Sequence, residues 1–171
     1  MRNDKDVIEV IESFVLENWW NINGRAREAF DYNNYYDWLE KNVVRYILFS
    51  YENSLRRRKG FPLLSSRDYA SKDAREKLSI EHITAKKALS VEFDDEFREN
   101  YLNNLGNLVI DHAASNSSKG RKGGDEKAIH YNLAPLMSQN EINEVGCDWN
   151  DLESIKRFIH RREEKLKLEV S

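Results

Sequence analysis

The chain has 171 residues, enough to bury a substantial core, and its length fits one domain or one domain with a helical extension. Charged residues make up 33% of it, yet the formal net charge is only -3, so attraction to a polyanion has to come from local basic patches rather than the global field. The one cysteine, Cys147, excludes an internal disulfide and a cysteine-built zinc cluster; no apolar run reaches bilayer-spanning length, and Met1 to Asp6 lacks the apolar core of a signal peptide, so a soluble, cytoplasmic chain with no membrane partner is expected.

The apolar residues Val7, Val10, Ile11, Phe14 and Val15 stack on one face and predict a first helix between Val7 and Trp20. A stronger pattern runs through Tyr35, Trp38, Leu39, Val43, Tyr46, Ile47, Tyr51 and Leu55 and is stopped by Gly60 and Pro62. It predicts a long core helix whose aromatic stripe serves packing rather than a cofactor. Its last turn, Arg56-Arg57-Arg58-Lys59, reads first as a solvated helix end favoured by the dipole and second as a phosphate-binding patch.

After a turn-rich stretch, Leu78 to Ile83 alternates apolar with polar as a strand does, which sets Glu81 and His82 on opposite sides. Asp94-Asp95-Glu96 opens a helix through Phe97, Tyr101 and Leu102, with Gly106 just past its end. Leu108-Val109-Ile110 is short enough to be a second strand or a buried linker. Ala113 to Lys119 forms a helical turn that puts Asn116 and Lys119 on one face, and Gly120, Gly123 and Gly124 break it. Ser138 to Glu141 has capping-box spacing for a further helix, and Trp149, Leu152, Ile155 and Ile159 mark a final amphipathic one. The fold class is therefore α+β: a mostly helical body around a small two-strand core. Its parts are helices over 1–76, the core over 77–130 and C-terminal helices over 131–171, within one compact domain.

Three short segments carry chemistry: Glu81-His82, Leu105-Gly106-Asn107-Leu108, and Asn116 to Lys119. A neutral imidazole can take a proton from water, a carboxylate and an amide oxygen can hold a hard cation, and a lysine can meet a phosphate. Taken singly each is ordinary. A lone Glu-His is usually a surface or core pair, Asn107 after Gly106 a turn residue, and Asn116 a cap or surface amide. Asp111 and His112, near the site in sequence, read first as solvated side chains and second as groups that support the site or offer alternative metal ligands. The order of the three segments, rather than any one of them, points to a site.

In that order the sequence resembles the HNH, or ββα-metal, endonucleases, of the type found as the C-terminal domain of GmrSD-like modification-dependent restriction enzymes. The resemblance rests on Ile80-Glu81-His82-Ile83, Leu105-Gly106-Asn107-Leu108 and Asn116-Ser117-Ser118 followed by Asp125-Glu126-Lys127. It extends upstream over Val44 to Glu52 and downstream to Trp149 and the helix after it. It implies a ββα-metal (HNH/His-Me finger) core between residues 77 and 130. It makes His82 the general base, Glu81 and Asn116 ligands of one Mg²⁺ or Mn²⁺, Asn107 a brace that orients the histidine, and Lys119 a phosphate contact in the catalytic group. Lys127 matches the lysine that ends the motif and, with Arg121 and Lys122, forms the expected nucleic-acid grip. Where relatives commonly have a proline soon after the histidine, this chain has Thr84-Ala85-Lys86-Lys87.

The function so implied is divalent-metal-dependent hydrolysis of DNA, in restriction or defence, leaving a 5′-phosphate and a 3′-hydroxyl. RNA is not excluded, since no reader of the 2′-hydroxyl is recognisable. An N-terminal domain or partner subunit of a restriction system is the implied partner. The alternatives are a non-cutting nucleic-acid-binding module that keeps the fold and, further off, a helical interaction protein.

Overall fold

The computed structural model describes residues 41–73, 75–85, 91–120, 122, 124–144 and 146–170. The helix expected between Val7 and Trp20, and Tyr35, Trp38 and Leu39 of the second pattern, lie outside the described residues. Helix α1, Lys41–Lys59, carries the rest of that pattern. Val44, Ile47, Leu48, Tyr51 and Leu55, spaced by three and four residues or multiples of them, are buried along it. It stops in a Schellman turn: Phe61 N–H donates to the Arg56 carbonyl at 2.9 Å and Gly60 N–H to that of Arg57 at 3.3 Å, with Gly60 at φ 73°, where only glycine is unstrained.

The basic last turn is largely consumed by the fold. Arg56 bonds Glu52 at 2.6 Å and the carbonyls of Pro62 and Pro135, Arg58 pairs with Glu169, and Lys59 reaches Glu144 at 3.5 Å. A short helix α2, Ser66–Ala70, follows, closed by a Ser65–Asp68 capping box. Strands β1, Leu78–His82, and β2, Leu108–His112, pair antiparallel with Ile80 opposite Ile110 and Glu81 opposite Val109.

Two strands alone are marginal in water. Here both faces are covered. Leu78, Ile80, Leu108 and Ile110 meet Val44, Ile47, Leu48 and Tyr51 of α1 on one side, while Ile83 and Val109 join Phe97, Tyr131, Phe158 and Ile159 in a second cluster. Between the strands runs α3, Asp95–Asn100, capped by Asp94, and a 3-10 turn, Leu105–Asn107. After β2 come α4, Ala113–Lys119, α5, Gly124–Asn132, α6, Met137–Glu144, and α7, Leu152–Val170. The architecture is α+β, as its sequence pattern indicates.

Three local expectations change. Helix α3 ends at Asn100, so Gly106 is no helix terminator. A Cβ there would overlap the Ile159 carbonyl oxygen and press on the Glu163 amide nitrogen at 3.0 Å, so the glycine is what lets the 3-10 turn lie against α7. Gly124 opens α5 rather than breaking a helix, because its bare Cα faces the Trp149 ring. Helix α6 begins one residue before Ser138, and its cap is remote: the Glu52 carboxylate accepts from Met137 N–H at 3.0 Å and Ser138 N–H at 2.8 Å, an anion at the positive end of a helix. Among the described residues no helix is long and apolar enough to cross a membrane.

Gly106→Ala should therefore destabilise the protein by about 3 kcal/mol or more, since the clash is with backbone rather than a side chain that can turn away. Urea unfolding measures it; wild-type stability in the alanine protein would contradict the packing of α7 on the turn.

Candidate active site

Asn107 closes the 3-10 turn and has no exposed surface. Its Oδ1 accepts from Thr84 N–H at 2.9 Å, and its Nδ2 donates to the carbonyls of Leu102 at 2.8 Å and Thr84 at 3.3 Å. Its own carbonyl accepts from Ile83 N–H at 2.9 Å, extending the strand pairing by one bond. The residues after His82 are thus tied to the loop before β2. The turn is held from the other side by Arg162 of α7, whose Nη1 donates to the carbonyls of Gly106 at 3.0 Å and Leu108 at 2.6 Å. Burial pushes the Arg162 guanidinium down to about 10, still charged at neutral pH.

Strand alternation turns Ser79 and Glu81 to one face of β1 and Ile80 and His82 to the other. Glu81 lies in a buried charge cluster. Lys127 Nζ of α5 is 2.5 Å from its Oε1 and 2.7 Å from the carbonyl oxygen of His82. Beside this pair, Lys119 Nζ meets Asp111 Oδ2 at 2.8 Å and Gln139 Oε1 at 3.1 Å and sits 4.6 Å from the centre of the Tyr131 ring. Gln139 in turn donates to Asp111 Oδ1 at 2.9 Å and to the Ile110 carbonyl at 2.8 Å. Both lysines are 1% exposed. Neither presents its ammonium to solvent, so their placement is that of internal counter-ions rather than phosphate contacts. Burial lifts the Glu81 carboxyl above its ordinary value, with Lys127 pulling the other way.

His82 is half-buried at the end of β1, with Nε2 3.1 Å from Oδ1 of Asn103. Asn116 sits on α4 and uses its amide nitrogen to hold β1, donating to Ser79 Oγ and to the Ile80 carbonyl, each at 3.0 Å. Lys122 is half-buried with Nζ 3.1 Å from His130 Nε2, and Arg121 lies outside the described residues. The structure thus groups Glu81 with Lys119 and Lys127, sets Asn116 against the strand, and brings a ring nitrogen of His82 to Asn103.

The two expected metal ligands do not fit a shared ion as they stand. Glu81 is 5% exposed and already neutralised by Lys127, and the cluster around it balances two carboxylates with two ammonium groups. A divalent cation added there would be an uncompensated buried charge. Asn116 could offer only its amide oxygen. Among the described residues the group of three His, Cys, Asp or Glu side chains close enough to share an ion is His160, Glu163 and Glu164 of α7, none of them part of the motif.

The family model for the C-terminal domain of the GmrSD restriction endonucleases matches residues 20–167. The chain belongs to this family. Membership makes it a restriction-endonuclease-related nuclease and bears out the sequence resemblance to the GmrSD C-terminal type. No curated protein and no solved structure matches it. The matched stretch contains Glu81, His82, Asn107, Asn116, Lys119 and Lys127 together with three residues the motif reading passed over: Asn103, Gln139 and Arg162. No local signal singles out Asn103, Gln139 or Arg162 as part of a site; folding shows what they touch.

Lys127→Met, which strands the Glu81 carboxylate, should lower the unfolding free energy by about 3–5 kcal/mol, and adding Glu81→Leu should restore much of it. Urea melts of the two proteins test this, and a Lys127→Met protein as stable as wild type would argue that the pair is not buried in solution. The pH dependence has a definite sign. A carboxyl lifted by burial favours the protonated folded state, so its contribution is fully present below the ordinary 4.5 and is lost as pH rises through the lifted value. The stability difference between wild type and Glu81→Gln should move in favour of wild type as pH falls from neutrality toward 4.5. A difference that ignores pH would contradict the burial of that charge.

Proposed function

We propose that the protein is a DNA endonuclease of a restriction or defence system, with His82 as its general base. The observation that carries this reading is the way His82 is held inside the family-matched region. One ring nitrogen meets Asn103, its carbonyl is gripped by Lys127, and the residues after it are tied by Asn107. A neutral imidazole can accept a proton from water. The hydroxide so formed attacks phosphorus. The P–O3′ bond breaks, its electron pair leaves on the 3′ oxygen, which takes a proton from solvent, and a 5′-phosphate remains.

In this reading Lys119, Lys127 and Glu81 hold the strands rather than touch DNA, and Lys122, with Arg121 next to it in sequence, supplies the backbone grip. The resemblance implies Mg²⁺ or Mn²⁺, but no step here runs through an ion, because Glu81 and Asn116 do not form its seat. The same inward engagement of those two residues favours the second reading, a nucleic-acid-binding module that keeps the fold without cutting. It would shift DNA in a gel and give no product.

Supercoiled plasmid, with and without modified bases, incubated with Mg²⁺, Mn²⁺ or EDTA separates the readings. Wild type should nick or linearise it, and His82→Ala should lose about 10²–10⁴-fold in rate while keeping its circular dichroism spectrum. Cutting that survives His82→Ala unchanged would remove His82 as base; binding without product in every condition would leave the second reading.

A further inference from the structure

Asn103 has no place in the motif, yet its side-chain oxygen meets a ring nitrogen of His82. Resting on the reading of His82 as general base, we propose that Asn103 is a positioning residue for it. It accepts the proton of His82 Nε2, fixes the Nε2–H tautomer, and thereby makes Nδ1 the nitrogen that takes the proton from water.

The contact is a ring nitrogen 3.1 Å from Oδ1 of Asn103. An amide oxygen can only accept a hydrogen bond, so the imidazole nitrogen facing it has to be the one that carries hydrogen. In a neutral imidazole the other nitrogen then holds the lone pair. The chain spends many bonds on keeping that oxygen in place. Asn103 is 5% exposed and lies in a segment with both ends fixed. Upstream, Leu102 N–H and Tyr101 N–H both donate to the Phe97 carbonyl at 2.9 Å, and the Leu102 carbonyl is taken by Asn107 Nδ2. Downstream, Asn104 N–H returns to the Tyr101 carbonyl at 3.2 Å, and the Asn104 side chain accepts from Gly106 N–H at 2.8 Å. Asn107 therefore joins two segments, one carrying His82 and one carrying Asn103, and the ring and its partner stay in register because a single amide bonds both.

An uncharged acceptor also suits the task. A carboxylate in the same place would favour the imidazolium and raise the histidine's pKa, protonating the base at the pH where it has to work. An amide fixes the tautomer without that cost.

The test combines a spectroscopic and a kinetic reading on the full chain. Nitrogen-15 correlation spectra of the imidazoles, with His82→Gln used to assign the His82 signals among the four histidines, report which nitrogen is protonated. The expected result is Nε2–H for wild type above its titration and a mixture of tautomers in Asn103→Leu. In plasmid cleavage, Asn103→Leu should lower kcat by about 10–100-fold with KM little changed, the size seen when the partner that orients a working histidine is removed. The isosteric Asn103→Asp should keep the fold and move the acidic limb of the pH–rate profile upward by about one pH unit. A wild-type His82 protonated at Nδ1, or an Asn103→Leu protein with unchanged tautomer, would overturn the proposal. Should wild type cut no DNA, the functional reading fails on its own, and the tautomer spectra still decide whether Asn103 sets the ring.

Discussion

The carboxamide of Asn107 is the constraint around which the site is arranged. Buried without exposed surface, it has to satisfy one acceptor and two donor hydrogens internally, and an unmet buried polar atom costs about 1–3 kcal/mol. It meets them with both polar groups of the Thr84 backbone and the carbonyl of Leu102. Those partners lie on either side of the stretch between the strands, so one side chain fixes where the chain leaves β1 and where it returns toward β2. Gly106 beside it allows α7 to close against the turn, and Arg162 from that helix fastens the flanking carbonyls.

Around this brace the small sheet divides its labour by face. One face is apolar along most of its length and rests on α1, ending at His82 at the strand's edge. The other carries Glu81 and Asp111, whose charges are met by Lys127 and Lys119 from the helices that follow. Such pairs gain little net stability over apolar residues but cost several kcal/mol when one partner is removed, so they specify which helix face meets the strand. Lys127 bridges the two functions, since the ammonium that neutralises Glu81 also holds the His82 carbonyl.

Much of this was legible in the sequence wherever the determinant is local. The three- and four-residue spacing through Ile47, Tyr51 and Leu55, the alternation from Leu78 to His82, and the acidic start of α3 are written in neighbouring residues. The order of the Glu-His, Gly-Asn and Asn-Ser segments named the family before any coordinate. What could not be read is contact between distant residues. The resemblance made Lys119 a phosphate contact and Lys127 part of the nucleic-acid grip; their burial depends on carboxylates 8 and 46 positions away. The same holds for Glu52 capping a helix 86 residues on, and for Asn103 reaching His82 across 21. Ser138 offered a local capping signal and lost to that remote carboxylate, which already occupies the helix end.

The most direct measurement of the central claim is native-state hydrogen exchange at the Thr84 amide, the donor that Asn107 Oδ1 accepts. If Asn107 is the brace, this loop amide should exchange about as slowly as that of Tyr51 in the middle of α1, opening only with large-scale unfolding, and should lose that protection in Asn107→Ala while the Tyr51 amide keeps more of its own. A Thr84 amide that exchanges in wild type at the rate of an open loop would contradict the account, because the segment after His82 would then be held by nothing that Asn107 supplies.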